Sequence, residues 1–408
     1  MFAKRGFAAH RGHRGVGDEK DNEKPRVKII KDIMRATRKQ YSIEVKIRIV
    51  LDSLRGEDAG KQSGVHIRGF QTAHSSSYSG HCRAAIGRLY LSRHNQRSAI
   101  MTQQWRQVLR DHWGVDATLT ALDGEYDLNF LAEGAQDYVL KVMRVGCDVD
   151  FIDLQCRALE HLAMHAPEVC VPGVIKTQSG ELFAKVVDKA GSTRLVWLLE
   201  KIEGRTYAEF RPQSADLLAD VGRSVGSMGR ALADFTHPSL ERDFKWNLMQ
   251  ADWINDATDI IADPARRALI NEIAADFATI KAQLGAFPSV AIHNDVNDYN
   301  IIVGGSLTEA PHVTGLIDLG DMCASPRICD LAITCAYMVL GQPDPEQALA
   351  AVVAGYHSAW PLTADEIDML WPLLRMRLAV SVVNSTQMSV ENPDDPYVVI
   401  SQKPAWAF

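Results

Sequence analysis

The stretch that decides the fold is His293-Asn294-Asp295-Val296-Asn297-Asp298-Tyr299-Asn300, a polar segment between two apolar runs. Val290-Ala291-Ile292 precedes it and Ile301-Ile302-Val303 follows it, which predicts a loop between two buried strands. A second apolar run, Gly315-Leu316-Ile317, ends in Asp318. A carboxylate and an amide on one loop, followed by a carboxylate at the end of a strand, provide a candidate base and candidate oxygen ligands for a divalent cation.

The composition is typical of a globular protein. The chain has 408 residues, of which 46% are hydrophobic and 23% charged, and this length allows two or three folding units. Neither a long apolar run nor a signal-peptide core occurs in the sequence, so we predict neither a membrane span nor secretion. The seven cysteines form no C-x-x-C pair. Scattered thiols without a secretion signal favour a cytoplasmic location.

Charge divides the chain into two parts. Residues 1–100 hold 21 Lys and Arg against 9 Asp and Glu, whereas residues 101–408 hold 23 against 42. We expect residues 1–100 to be a basic extension, largely disordered, with one helix near 42–56. Residues 38–58 resemble the start of helix-turn-helix proteins encoded by insertion-sequence transposases, but no recognition helix follows. A transposon remnant is therefore favoured over nucleic-acid binding through the basic charge.

Short strands are predicted directly after this basic extension. The segments at 117–122, 128–131 and 137–142 alternate with small-residue turns, one of which contains Gly134. Lys141 lies between apolar residues in the last of these strands. A buried ammonium group needs an anionic partner, so Lys141 is a candidate for contact with phosphate oxygens.

A helix is predicted over residues 149–165, and it carries two acids. Asp153 and Glu160 are seven residues apart, so they lie on roughly the same face. This helix resembles the one that in kinases carries an acid paired with the strand lysine, and by that resemblance Asp153 is the preferred partner of Lys141 and Glu160 the alternative.

The rest of the chain is predicted to be mostly helical. Strands at 181–187 and 194–200 lead into a connection that contains Glu200 and Ile202. Trp246-Asn247-Leu248 is interpreted as core. Helices are predicted over 214–234, 252–285, 328–340, 344–358 and 363–384.

The polar segments contain what phosphoryl transfer requires. That reaction needs a group for the hydroxyl proton, a divalent metal on the phosphates and fixed positive charge. The spacing H-x-D-x-x-x-x-N places Asp295 as the base and Asn300 as a neutral oxygen ligand. Asp318 is the second metal ligand. His293 is interpreted as a loop organiser that transfers no proton.

With these motifs, residues 105–408 resemble the aminoglycoside phosphotransferase and choline kinase superfamily, whose fold is protein-kinase-like. Protein kinases carry Arg between the His and the Asp, where Asn294 stands here. They also carry several glycines in the phosphate loop, and Gly134 alone is assigned to it here. Both departures favour the small-molecule branch of the superfamily.

The resemblance implies an α+β, bilobal fold. A small antiparallel sheet would form the N-lobe over 101–200, and a larger, mostly helical C-lobe would occupy 201–408. The C-lobe would hold the catalytic loop 293–300 and the metal-binding segment 316–321. The resemblance also implies ATP or GTP as phosphate donor with Mg²⁺. Its purine would meet the backbone of the connection at Glu200 and Ile202, and its phosphates would meet Gly134 and Lys141, with Asp153 paired to Lys141.

Within the superfamily the chain resembles hydroxylysine kinases and the kinase region of bacterial proteins fused to a class III aminotransferase-like phospho-lyase. This implies phosphate transfer to a hydroxyl of an amino alcohol or hydroxy amino acid, and an expected relation to a larger fusion beyond residue 408. Aminoglycoside, homoserine and choline acceptors stay open, as does a catalytically silent binding protein. The resemblance rests on Gly124-Glu125-Tyr126-Asp127-Leu128-Asn129-Phe130, Asp153-Leu154-Gln155, residues 293–300 and Leu316-Ile317-Asp318-Leu319-Gly320-Asp321-Met322.

An acceptor that carries an ammonium group needs a carboxylate near its hydroxyl. Asp298 and Asp321 are the substrate candidates, because each lies beside a predicted catalytic segment. A carboxylate on the acceptor would need an arginine. The sequence offers Arg327, Arg375 and Arg377 for this role without favouring one of them.

Overall fold

The computed structural model describes residues 102–122, 124, 127–305, 309–391 and 402–408. The chain divides into two units, Met1–Gln62 and Ser63–Phe408, and every described residue belongs to the second. The basic extension at 1–100, with its predicted helix near 42–56 and its transposase-like segment, lies outside the described residues.

An antiparallel sheet forms the first part of the described fold. Its strands run in the order β1-β2-β3-β6-β4, with β5 also paired to β6. A helix over 102–113, α1, packs its apolar side against this sheet, where Trp105 and Leu109 join Phe130, Leu140 and Leu198 in one buried cluster. The strands are β1 (Thr118–Leu122), β2 (Leu128–Glu133), β3 (Tyr138–Val142), β4 (Val174–Ile175), β5 (Ala184–Val187) and β6 (Thr193–Glu200).

The helix α2 (Val149–His165) connects β3 to β4, and its bounds match the helix predicted over 149–165. Asp148 begins it, because its side chain accepts the N–H of Asp150 at 3.0 Å and so satisfies one of the free donors of the first turn. Apolar residues such as Leu154 and Leu159 are buried, and Gln155 is buried among them.

Helices dominate the second part, as predicted, with one correction. The single helix predicted over 252–285 is divided into 3₁₀ turns at Leu248–Asp256 and Thr258–Ile260 and an α-helix from Pro264. Asp263 caps that helix and Pro264 occupies its first turn, which is a strong signal for a new start. The helices are α3 (Ala215–Ala231), α4 (Pro264–Leu284), α5 (Arg327–Met338), α6 (Pro345–Ala359), α7 (Ala364–Glu391) and α8 (Gln402–Ala407).

Two small antiparallel sheets hold the polar segments. The loop 293–300 connects β8 to β9, and Asp318 follows β10 after Ile317. Within the described ranges, no helix has the length and apolar character needed to cross a membrane. The arrangement confirms the predicted α+β class, with a small antiparallel sheet before a mostly helical part. The remaining strands are β7 (Arg205–Thr206), β8 (Ser289–Ile292), β9 (Ile301–Gly304), β10 (His312–Leu316) and β11 (Cys323–Pro326), paired as β10-β9-β7 and β11-β8.

Candidate active site

A buried aspartate on α5 holds the start of the loop 293–300. The backbone N–H groups of His293 and Asn294 donate to the carboxylate of Asp330, at 3.3 and 2.8 Å. Burial raises the pKa of Asp330, and the two backbone hydrogen bonds that its carboxylate accepts oppose this. Asn294 adopts a left-handed conformation with φ of 65°, which turns the chain towards Asp295. Because α5 is packed in the core, Asp330 fixes the loop to a rigid element.

His293 connects this loop to the strand that precedes Asp318. Its Nε2 lies 3.0 Å from the carbonyl oxygen of Ile317, and its Nδ1 lies 3.3 Å from the backbone N–H of Asp295. A neutral imidazole that carries its proton on Nε2 satisfies both contacts. The side chain is fully buried. These contacts are those expected of a loop organiser.

Asp295 accepts hydrogen bonds on both of its carboxylate oxygens. Oδ1 accepts from Nη2 of Arg377 at 2.9 Å, and Oδ2 accepts from the amides of Asn297 and Asn300 at 2.9 and 3.0 Å. All three partners are donors, so an ionised carboxylate satisfies them. Arg377, on α7, is 1% exposed and its guanidinium lies 4.7 Å from the ring centroid of Trp246. Asp295 is therefore held in one orientation from two sides of the site.

Asn300 and Asp318 provide the oxygen atoms that were predicted to bind a metal ion. The amide nitrogen of Asn300 donates to Asp295, which leaves its Oδ1 as a neutral acceptor. The carboxylate of Asp318 is 45% exposed, and its Oδ1 accepts the N–H of Gly320 at 3.2 Å. Mg²⁺ commonly binds one or two protein oxygens together with waters and substrate phosphates, so this pair fits that ion.

Lys141 reaches the metal-binding segment from β3. Its Nζ lies 3.2 Å from Oδ1 of Asp318, and the side chain is 11% exposed. The ammonium group lowers the pKa of Asp318 from its ordinary value. The sheet and the segment after β10 thus bring a cation and a carboxylate into direct contact.

The predicted ion pair between Lys141 and Asp153 is wrong for this structure. Oδ1 of Asp153 lies 3.4 Å from Nε of Arg157, and its Oδ2 lies 3.4 Å from Nε2 of His237. Glu160, the alternative, also pairs with Arg157, at 3.1 Å. Both acids occupy a face of α2 that meets other partners, and the ion pair formed by Lys141 is to the metal-binding segment instead.

The polar residue that α2 buries is Gln155. It is 1% exposed, and its Oε1 lies 3.8 Å from the point where a Cβ on Gly320 would stand. Its amide nitrogen donates to the carbonyl oxygen of Phe151, one turn back. The helix therefore presents a neutral amide, and no acid, to the segment after Asp318.

The predicted position of Gly134 in a phosphate loop beside Lys141 is also wrong. Gly134 lies in the turn between β2 and β3, and the register of β3 puts that turn at the end of the sheet that holds Glu200. Lys141 pairs with Asn129, close to the turn between β1 and β2. Gly124 lies in that turn, and a Cβ there would be 2.4 Å from the amide nitrogen of Asn129.

Glu200 and Ile202 lie at the connection between the two parts of the fold, as expected. The N–H of Glu200 donates to the carbonyl oxygen of Gly173 at 2.8 Å. The side chain of Ile202 packs on Gly315, where a Cβ would lie 2.4 Å from its Cδ1. A glycine at this position lets Ile202 lie directly over β10. The role of both residues towards a purine stays a prediction.

The structure separates the two substrate candidates. Asp298 has Tyr207 and Arg211 as its charged or titratable neighbours, and burial raises its pKa. Asp321 lies beside Asp295 and Asp318, and burial, followed by the charge of Asp295, raises its pKa to about 7. Asp321 therefore belongs to the site, whereas Asp298 faces the segment after β7.

The segment before the 3₁₀ turn at 248–256 contributes contacts that sequence reasoning missed. Trp246 was interpreted as core, but its ring stacks on Arg377 and its carbonyl oxygen accepts from Arg377 Nη1 at 3.3 Å. Arg242 donates from Nη2 to the carbonyl oxygen of Gly320 at 2.9 Å. Asp330 was missed as well, although a single acid inside the apolar helix 328–340 is a signal that could have identified it.

Comparison with known proteins agrees with this geometry. A family model described as the phosphotransferase enzyme family (APH) matches residues 118–365. The chain is 28% identical to the hydroxylysine kinase of Xenopus laevis over 342 residues, which cover 76% of this chain and 89% of that protein.

Two solved structures share the fold. A microcompartment-associated aminopropanol kinase has a TM-score of 0.58 and 20% identity, covering 74% of this chain and 92% of its own. An amicoumacin kinase solved with AMP-PNP and Ca²⁺ has a TM-score of 0.52 and 13% identity, covering 71% and 86%. These likenesses confirm the kinase-like fold. The family match spans more than half of the chain, so this protein is a small-molecule kinase with an alcohol group as acceptor and belongs to the APH phosphotransferase enzyme family.

Proposed function

We propose that this chain transfers the terminal phosphate of ATP or GTP, in the presence of Mg²⁺, to the hydroxyl group of a hydroxy amino acid or amino alcohol of the hydroxylysine type. The observation that carries the proposal is the convergence of a cation, two oxygen ligands and a fixed carboxylate. Lys141 lies 3.2 Å from Asp318, and Asn300 donates to Asp295 at 3.0 Å. The hydroxylysine kinase and aminopropanol kinase found by comparison are both named for acceptors with a hydroxyl and an amine.

Each residue then has a defined task. The acceptor oxygen attacks the terminal phosphorus, the bond from phosphorus to the bridging oxygen breaks, and the nucleoside diphosphate leaves. The hydroxyl proton passes to the carboxylate of Asp295, which Arg377, Asn297 and Asn300 hold in place. Mg²⁺ bound at Asn300 and Asp318 would neutralise the phosphate charge. Lys141 adds fixed positive charge at the same point.

Asp321 is the residue to which we assign the ammonium group of the acceptor. It lies beside Asp295 and Asp318, and it forms no hydrogen bond or ion pair with the part of the chain that the structure describes. A half-buried carboxylate without a partner is destabilised by its lost hydration. An ammonium group on the acceptor would restore a partner and would bring the neighbouring hydroxyl towards Asp295.

A nucleotide and acceptor panel on the full chain tests this function. ATP and GTP are each supplied with Mg²⁺ and with hydroxylysine, homoserine, aminopropanol, ethanolamine, choline or kanamycin, and release of nucleoside diphosphate is followed. We expect acceptor-dependent release with the amine-bearing linear acceptors. Release with kanamycin alone would favour the aminoglycoside alternative. Nucleotide binding without release for any acceptor would favour a catalytically silent binding protein.

Replacing Asp321 by Asn should raise KM for an amine-bearing acceptor by about tenfold or more, because a charge-assisted contact is lost. In the wild type, KM should also rise as pH falls from 8 to 6, since the raised pKa of about 7 means that the carboxylate loses its charge in this interval. The variant should lack this pH dependence.

The matched control is Asp243→Asn, which removes an exposed carboxylate from a neighbouring part of the fold. Steady-state kinetics at several pH values measure both variants. Asp243→Asn should keep the wild-type KM. If Asp321→Asn also keeps the wild-type KM at pH 8, the ammonium group binds elsewhere.

A further inference from the structure

Arg242 lies at the border of the site with its guanidinium group fixed by aromatic rings. The guanidinium carbon is 4.9 Å from the ring centroid of Phe151, on α2, and 4.5 Å from that of Phe244. Nη2 donates to the carbonyl oxygen of Gly320 at 2.9 Å. Two aromatic rings therefore lie close to the planar group, and one of its nitrogens is anchored to the segment that carries Asp318 and Asp321.

The rest of this guanidinium group lacks partners. Nε and Nη1 of Arg242 are buried, and neither forms a hydrogen bond with any residue that the structure describes. Burial lowers the pKa of Arg242, while the negative charge of Asp321 opposes this effect. Enclosed donors of a charged group without acceptors are costly. A planar anion, such as a carboxylate, is the ligand that matches them best.

Arg242 and Asp321 are neighbours that do not pair with each other. Asp321 stabilises the charge of Arg242 electrostatically, yet no ion pair within 4.0 Å joins them. Two opposite charges that lie near each other, with unsatisfied polar atoms on both, are complementary to a zwitterion. Its ammonium group would meet Asp321 and its carboxylate would meet Arg242.

The arginines that the sequence offered for a carboxylate are all engaged. Arg327 forms two hydrogen bonds with Glu366, at 2.5 and 2.8 Å. Arg375 pairs with two acids of α4 at the surface. Arg377 pairs with Asp295. Each of these three arginines therefore already holds a carboxylate of the protein, whereas Arg242 forms no ion pair with the part of the chain that the structure describes.

We propose that Arg242 binds the carboxylate of the acceptor and so makes the enzyme select a hydroxy amino acid over the amino alcohol that lacks the carboxylate. This inference rests on the proposed function, since it names the acceptor class of the same site. It assigns Arg242 to specificity and leaves the roles of Asp295, Asn300 and Asp318 unchanged.

Matched acceptor pairs test the assignment. Hydroxylysine is compared with its decarboxylated analogue, and homoserine with aminopropanol, using wild type, Arg242→Gln and Arg242→Lys. We expect Arg242→Gln to lower kcat/KM for the amino acids by about 10²-fold, mainly through KM, and to change the decarboxylated acceptors by less than about threefold. For the amino acids, Arg242→Lys, which keeps the charge, should have a kcat/KM between those of the wild type and Arg242→Gln.

Other roles for Arg242 give different results. If it only supports Gly320, both members of each pair lose activity equally. If it binds a phosphate of the nucleotide, KM for the nucleotide rises with every acceptor. Either result overturns the proposal. Arg157→Gln, which removes an exposed guanidinium from α2, should leave all constants near wild type.

A measurement on the wild type makes the test independent of the folding of any variant. Lysine and its decarboxylated analogue lack the hydroxyl group and are compared as competitive inhibitors against the acceptor. Lysine should inhibit at a concentration at least about tenfold lower, and equal inhibition overturns the proposal. If the wild type phosphorylates no acceptor of the panel, the proposed function itself fails. If it phosphorylates both members of each pair equally, the assignment of Arg242 fails alone.

Discussion

Replacing Asp295 by Asn should reduce kcat by about 10²–10⁴-fold while the fold and nucleotide binding persist, since this is the usual contribution of a positioned acid–base group. The amide is close in size to the carboxylate and can still accept from Arg377 through its oxygen, although its NH2 group then faces the amide donors of Asn297 and Asn300. It cannot take the hydroxyl proton. Of the substitutions considered for this site, we expect this one to have the largest effect on the chemical step.

The orientation of Asp295 makes the result interpretable. Three donors hold the side chain. Arg377 is only 1% exposed, so water cannot solvate its guanidinium group once the negative charge of Asp295 is removed. Removing one partner of a buried ion pair commonly costs about 3–5 kcal/mol of stability, and an amide should cost less because it keeps an acceptor. Thermal unfolding must therefore be measured beside single-turnover kinetics, with the nucleotide bound.

Asp234→Asn is the matched control for Asp295→Asn. It removes a carboxylate that is 83% exposed, so activity and melting temperature should stay close to wild type. If Asp295→Asn has unchanged stability and a kcat within about tenfold of wild type, another group receives the hydroxyl proton. Loss of nucleotide binding in the same variant would mean that the substitution disturbs the site as a whole and reports on structure alone.

The segments that sequence alone could identify are those whose chemistry is encoded by local spacing. Asp295 and Asn300 are close in the chain, and the loop that carries them is bounded by β8 and β9. Asp318 follows a strand in the same way. In such segments the hydrophobic pattern indicates where the strands end, so the polar residues between them must lie in the connecting loop.

The contacts that the sequence could not determine depend on rotations and registers. On α2, successive residues differ by about 100° around the axis, so the pattern could not decide whether Asp153, Gln155 or Glu160 faces Asp318. The packing of the apolar side decides it and turns Gln155 inward. The same holds for Gly134, because the end of the sheet at which it lies follows from strand pairing.

Contacts between distant parts of the chain also could not be predicted from the sequence. Arg377 meets Asp295 across 82 positions, and Arg242 meets Gly320 across 78. A basic residue in a loop or on a helix carries no local signal for such a partner. Arg377 could be named as a candidate for a ligand, but its true contact is an acid of the protein, which removes it from that role.

A close backbone contact between α3 and α6 predicts a large loss of stability when a side chain is introduced there. Gly222 on α3 and Gly355 on α6 face each other's backbones: a Cβ on Gly222 would lie 1.9 Å from the carbonyl oxygen of Val352, and a Cβ on Gly355 would lie 1.9 Å from that of Ala219. An ordinary contact needs about 3.4 Å or more. An alanine at either position must therefore push one helix backbone away from the other.

Gly355→Ala should destabilise the protein by roughly 3 kcal/mol or more, because overpacking costs about 1–3 kcal/mol and here the obstacle is backbone rather than a movable side chain. Thermal unfolding should show a fall in Tm of about 6 °C or more. The sign is informative, since glycine to alanine inside a helix otherwise gains roughly 1 kcal/mol. Gly285→Ala, where φ is −68° and the nearest atom is 3.5 Å away, should be neutral or slightly stabilising. A Tm for Gly355→Ala equal to or above that of Gly285→Ala would show that α3 and α6 are not in backbone contact.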